Sequence, residues 1–134
     1  MANLIKNGDF SQQGDHWTAT NPDNVRFVTG HCIIGVPDSI SQNVLTGAGA
    51  GGHFMLSARV KTLHGSAARI TVQPLPTGEP VYLTAGGNQE WTVLFKKFEV
   101  QISTLNFKVT LEANDGESGT QGTYFGDVTL SKLL

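Results

Sequence analysis

Three stretches alternate so regularly that they leave little choice of secondary structure. HFMLSARVKTL puts Phe54, Leu56, Ala58 and Val60 on one face and Ser57, Arg59 and Lys61 on the other. ARITVQP sets Ile70 and Val72 against Arg69, Thr71 and Gln73. LNFKVTLEA sets Leu105, Phe107, Val109 and Leu111 against Asn106, Lys108, Thr110 and Glu112. A period of two is that of a strand with one face in a core and the other in water. A surface helix needs apolar residues at three- and four-residue steps, and no stretch of twelve residues here carries that stripe.

Six more runs rich in β-branched and aromatic residues read as strands: NLIKN, VRFVT, HCIIGV, SISQNVL, WTVLFKKFEV and TYFGDVTLSKLL. Turn chemistry separates them, in Asn7-Gly8, NPDN, TGAGAGG, PLPTGEP, AGGNQ and NDGESGTQG. About nine short strands in 134 residues imply an all-β chain, a two-sheet antiparallel sandwich or a barrel, in one domain spanning 1–134. The Asn7-Gly8-Asp9 turn takes the chain off its first strand, and Phe10 and Trp17 then plug the end of the core. Trp91 is expected in the core as well. Gln42 shares parity with Ile40 and Val44, so it is expected buried and bonded to backbone, while Tyr124 shares parity with Val128 and Leu130.

Only 15% of residues are charged and the formal charge is −2. Such a surface attracts neither nucleic acid nor an acidic membrane, and suits neutral hydrogen-bonding ligands. Cys32, the single cysteine, sits in an apolar run and reads as a buried, inert thiol. No charged-then-apolar segment opens the sequence, as expected of a chain that is cytoplasmic as made, a mature form, or exported by a route it does not show.

Five blocks in order, NLIKNGDFSQQGDHWT, SISQNVL, HFMLSARVKTL, WTVLFKKFEV and TYFGDVTLSKLL, cover nearly the whole chain. Together they resemble the galactose-binding-domain-like jelly rolls, and most closely carbohydrate-binding modules of families four and nine. The resemblance implies a β-jelly roll that binds glycans without catalysis. It also implies a structural calcium ion near the first turn and the last strand, with Asp127 and Asp9 as ligands, and no other cofactor. Two departures weaken that site: Ser11 follows the Asn-Gly-Asp-Phe block where an acid is usual, and Gly126 replaces the first member of the acidic pair before Val128.

Enzyme chemistry finds little support. A glycosidase needs two carboxylates across one bond; most acids here sit in turns, and whether the strand residues Glu99 and Glu112 meet is open. His16, His31, His53 and His64 lack zinc spacing. No GxSxG elbow and no phosphate loop is present. Sugar sites combine an aromatic platform with amides, guanidinium groups and hydroxyls. The candidates are Arg59, Gln73 and Asn106 from outward strand positions, with Tyr82 as stacking aromatic. The loops around Trp17 and Asn24 are the alternative site. The expected partner is a neutral glycan, with self-association as a way to strengthen a weak site. A structural or protein-interaction subunit of a larger assembly or toxin is the rival reading.

Overall fold

A computed structural model describes residues 3–46 and 51–133. Ten strands form in chain order: β1 (Thr18–Ala19), β2 (Val25–Val28), β3 (His31–Gly35), β4 (Ser39–Leu45), β5 (Gly52–Thr62), β6 (Ala67–Leu75), β7 (Val81–Ala85), β8 (Thr92–Val100), β9 (Asn106–Asn114) and β10 (Gln121–Lys132). Sheet A has the order β1-β4-β9-β6-β7 and sheet B the order β2-β3-β10-β5-β8, with every neighbouring pair antiparallel. The two sheets face each other as a jelly-roll sandwich. Between β1 and β2, Pro22–Asn24 form one 3-10 turn, capped by the Asn21 side chain on the Asp23 N–H.

Alternation does here what it implies. Phe54, Leu56, Ala58 and Val60 of β5 and Phe125, Val128 and Leu130 of β10 point from sheet B into the core. Ile70 and Val72 of β6 and Phe107, Val109 and Leu111 of β9 meet them from sheet A. Apart from the small Ala58, each of these side chains contributes about 1.5–3 kcal/mol when fully buried, relative to leaving it in water. Cys32 lies in this core, where burial pushes its thiol pKa far up and keeps it protonated. Gln42 is buried too, and its amide accepts from the Lys6 N–H and donates to the Lys6 carbonyl, both at 2.9 Å.

That pair explains the first departure from the sequence reading: NLIKN is not a strand. Leu4 donates to the Leu130 carbonyl, but the Lys6 backbone is taken by the Gln42 amide. Asn3 Oδ1 accepts from both Ile5 and Leu130. Side chains thus satisfy backbone groups that a ladder would otherwise pair. From Asn7 the chain winds through turns held by one side chain. Asn7 Nδ2 donates to the carbonyls of Gln13 and Asp15, and its Oδ1 accepts from Gln12. Asn7 itself is left-handed, at φ 53°, a conformation Asn tolerates better than most residues. The loop delivers Phe10 and Trp17 to the end of the core as expected, their rings stacked at 5.6 Å.

Two further differences concern β7 and Leu105. VYLTA forms β7, an edge strand of five residues whose half-buried pattern gives a weak sequence signal. Leu105 precedes β9 and is exposed rather than inward. Most of the Gly-rich TGAGAGG connection lies outside the described residues.

The difference with the most consequence is a bulge in β10. Gly126 pairs with Arg59 and Thr129 with Ser57, so three residues of β10 advance against two of β5. One extra residue reverses the facing of everything before it relative to everything after. Phe125 therefore points inward with Val128 and Leu130, and Tyr124 points outward, opposite to its reading from parity alone. Asp127 occupies the bulge with a left-handed φ of 46°.

Candidate functional site

The sandwich separates residues that the sequence placed on one binding face. Arg59 is on the outer face of sheet B, whereas Gln73, Tyr82 and Asn106 belong to β6, β7 and β9 of sheet A. No ligand lying on one sheet face reaches both sets. Gln73 is also engaged: its Nε2 donates to the carbonyls of Pro74 and Gly78 at 2.9 and 3.0 Å. Tyr82 is 45% exposed and has Arg69 over its ring, with that guanidinium paired to Glu112. Asn106 begins β9 at the far end of the face. Trp17 is only 8% exposed, and its indole N–H donates to the Asn7 carbonyl at 3.0 Å. It packs as a core residue. Glu99 and Glu112 fall on different sheets and do not meet.

Sheet B instead gathers the aromatic residues that parity had hidden. His31 opens β3 after a two-residue turn in which Gly30 has φ 98°. Tyr124 comes from the adjacent β10, turned outward by the bulge. Trp91 comes from the segment leading into β8. That segment is held by Thr62, the buried end of β5: Thr62 donates from its backbone to Gln89, and its hydroxyl accepts from the Gln89 N–H. The His31 ring stacks on Tyr124 at 5.7 Å, and Trp91 stands nearly perpendicular to Tyr124 at 6.0 Å and 83°. His31 meets Trp91 edge-on at 5.7 Å. Trp91 is 37% exposed, so it is no core residue. The exposed Val93 and Phe95 continue the same outward parity along β8.

Cations frame this cluster. The Arg59 guanidinium lies 4.6 Å from the centre of the Trp91 ring, and Lys61 Nζ lies 5.6 Å from that of Tyr124. Arg59 Nε donates to Asp127 Oδ2 at 2.6 Å. So exposed an ion pair adds little stability, but it fixes where the guanidinium rests. A Cβ at Gly126 would come within 2.8 Å of Arg59 Nη2 and 3.0 Å of the Gly30 carbonyl, so glycine leaves room for Arg59 to cross the sheet. Aromatic planes edged by a guanidinium can stack on the apolar face of a sugar ring and donate to its hydroxyls.

His31 has a lowered pKa, first because burial disfavours its charge and then because Arg59 and Lys61 repel it. The folded protein therefore resists protonation there more than the unfolded chain does. Above the ordinary histidine value of about 6.5 both forms are neutral; below it the unfolded state takes up the proton first, so stability falls with pH toward the lower folded value. The expected result is a denaturation midpoint that falls between neutral and mildly acidic pH, with a smaller fall in His31→Asn. An equal fall in both proteins would assign the effect to other groups.

Asp9 and Asp127 do line one surface hollow, with Asn3, Asn7, Gly8 and Thr129. Most of its oxygens are already engaged. Asp127 Oδ2 accepts from Arg59, Asp9 Oδ1 from the Ser11 N–H, Asn3 Oδ1 from Ile5 and Leu130, and the Gly8 carbonyl from Val128. The hydrogen bonds from Ser11 hold the Asp9 carboxyl below the usual range. Among the described residues no three His, Cys, Asp or Glu side chains gather. Calcium takes six to eight oxygens, so this donor set is a poor fit. An ion present at its own Kd stabilises by RT ln 2, about 0.4 kcal/mol. Added calcium should therefore raise Tm by roughly 1–3 °C at most, and Asp127→Ala should remove that rise. A large rise that survives the substitution would place an ion elsewhere.

No family model matches the chain, and no curated protein matches it. Solved structures do. TmCBM61 in complex with β-1,4-galactotriose is similar over 99% of this chain and 100% of its own, at a TM-score of 0.74 and 14% identity. A CBM4 structure covers 96% of this chain and 99% of its own, at 0.71 and 16%. Tailspike protein 4 of Bacteriophage CBA120, in its enzymatically active domain, matches 98% of this chain with 21% of its own length, at 0.74 and 14%. At these identities the likeness is one of fold: the chain has the jelly-roll fold of carbohydrate-binding modules.

Proposed function

We propose that the chain is a glycan-binding module without catalytic activity, and that its ligand, a neutral oligosaccharide, lies on the outer face of sheet B across Trp91, Tyr124 and His31. The observation that carries this reading is the outward aromatic cluster with Arg59 held against it. A folded chain gains nothing by leaving an indole, a phenyl ring and a valine side chain in water on one face, and such patches are characteristic of interaction sites. The fold neighbour bound to β-1,4-galactotriose supports an oligosaccharide as ligand class.

The binding step is reversible. Sugar C–H faces displace water from the aromatic surface while Arg59 and the His31 nitrogens exchange water hydrogen bonds for hydroxyl ones. Each exchanged bond nets little, so stacking carries most of the affinity. The ligand is neutral, so binding should change little with salt. The test is calorimetric and NMR titration against neutral oligosaccharides, β-1,4-galactotriose among them. Saturable shifts of the Trp91 indole N–H and of the Tyr124 amide are expected. Shifts confined to Tyr82, Thr84 and Thr110 would move the site to sheet A, and no binding at millimolar concentrations would overturn the glycan reading.

A further inference from the structure

A second hollow, of about 170 Å3, opens where the β6–β7 loop meets the turn between β8 and β9. Its walls include Pro74, Thr77, Glu79, Glu99, Gln101 and Thr104. It lies by the end of β8, whereas Trp91 lies before its start, and nine residues of extended chain span roughly 30 Å. The two sites are therefore independent.

The hollow is built rather than incidental. Gln73 ties the Pro74 and Gly78 carbonyls together, and a Cβ at Gly78 would come within 2.8 Å of Pro74. Leu105 donates to the Leu75 carbonyl, Thr104 to that of Gln101, and the Thr46 hydroxyl to the Thr104 carbonyl. The Thr104 N–H and carbonyl are thus both engaged, and Thr104 is itself part of the wall. Thr104 is 1% exposed, and its Oγ1 is the one buried side-chain polar atom among the described residues with no hydrogen-bond partner. Leaving such a group unpaired is costly, and valine would fill the same volume without that cost. Thr104 lines the hollow, and a turn of about 120° about χ1 carries its hydroxyl into the place of the methyl, and the methyl into that of the Cβ hydrogen, with no backbone movement. This is the turn by which the hydroxyl would meet a ligand.

We propose that this hollow is a second binding site that takes a single hydroxylated ring without negative charge, such as a terminal hexose or hexosamine. The volume is that of a few water molecules, enough for one small ring and far more than a bare cation needs. Pro74 and Val100 supply apolar wall. Glu79 and Glu99 are acceptors for ring hydroxyls or an ammonium group, and they repel a uronic acid. This site stands apart from the sheet B reading, since it shares no residue with it.

The test is an NMR titration of the full chain with methyl β-D-galactopyranoside, methyl β-D-glucopyranoside, glucosamine and glucuronate, each to tens of millimolar. Saturable shifts at Gly78, Gln101 and Thr104 are expected with the first three and not with glucuronate. β-1,4-Galactotriose should shift the same amides if the ring is a chain end; shifts from the monosaccharides alone would assign the site to free sugars. Thr104→Val should keep or raise Tm and weaken binding about tenfold. Glu79→Gln, at an exposed position, should admit glucuronate. Trp91→Ala should leave all these shifts in place, so failure of the sheet B site and of this one are told apart. No shift at Gly78, Gln101 or Thr104 with any sugar would overturn the proposal and leave the hollow to water. Undiminished binding by Thr104→Val would overturn the role of its hydroxyl.

Discussion

Trp91→Ala is expected to weaken oligosaccharide binding about a hundredfold, a loss of about 2–3 kcal/mol. The indole is the largest exposed ring of the sheet B cluster, and Arg59 rests on it at 4.6 Å. Truncation removes the stacking surface and frees the guanidinium, which then has only Asp127 to hold it. Tyr124→Ala should cost less, because that ring shares its packing with His31 and Lys61. Trp91→Phe should recover part of the loss, since it restores a flat ring of smaller area. Tm should change little in Trp91→Ala, because the residue is already more than a third exposed. Calorimetry on the three variants decides the matter. Unchanged affinity in Trp91→Ala would remove sheet B as the site and direct attention to the exposed Tyr82 on sheet A.

The largest loss of stability is expected from Phe10→Ala, at about 3–5 kcal/mol. Phe10 is fully buried although it lies in a loop. Its ring stacks on Trp17 and lies 6.1 Å from Phe27, so it joins the N-terminal turns to both the core and β2. Its backbone is left-handed at φ 56°, and alanine gains no relief there. The truncation therefore leaves a cavity that the loop cannot close without breaking the Asn7 hydrogen bonds. Chemical denaturation should show a lower midpoint with an unchanged slope, and Tm should fall by roughly 10–20 °C. A loss below about 1 kcal/mol, typical of surface positions, would mean that the loop is not part of the cooperative core.

Most of the fold was legible because alternation is a local signal. A strand half in a core must repeat every two residues, and β4, β5, β6 and β9 do so without interruption. Phe10 and Trp17 as an end plug, Gln42 as a buried amide and Cys32 as a core thiol followed from the same parity and from composition. NLIKN failed because its backbone partners are side chains from distant positions, Gln42 above all. The β7 strand escaped because it is only five residues long and the outward Tyr82 blurs the alternation of Val81, Leu83 and Ala85.

The candidate site was legible only in part, for two physical reasons. Parity states whether a side chain points in or out, but not which sheet carries the strand. Arg59 and Gln73 are both outward, and strand order alone puts them on opposite faces. Parity also carries no warning of a bulge. The extra residue at Gly126–Asp127 turned Tyr124 out to meet His31 and Trp91, and it left Asp127 where it could hold Arg59. From the sequence alone came the strands, the inward set and a surface poor in charge. The pairing of β10 with β5, a long-range contact set by the packed core as a whole, decided which aromatic rings share a face.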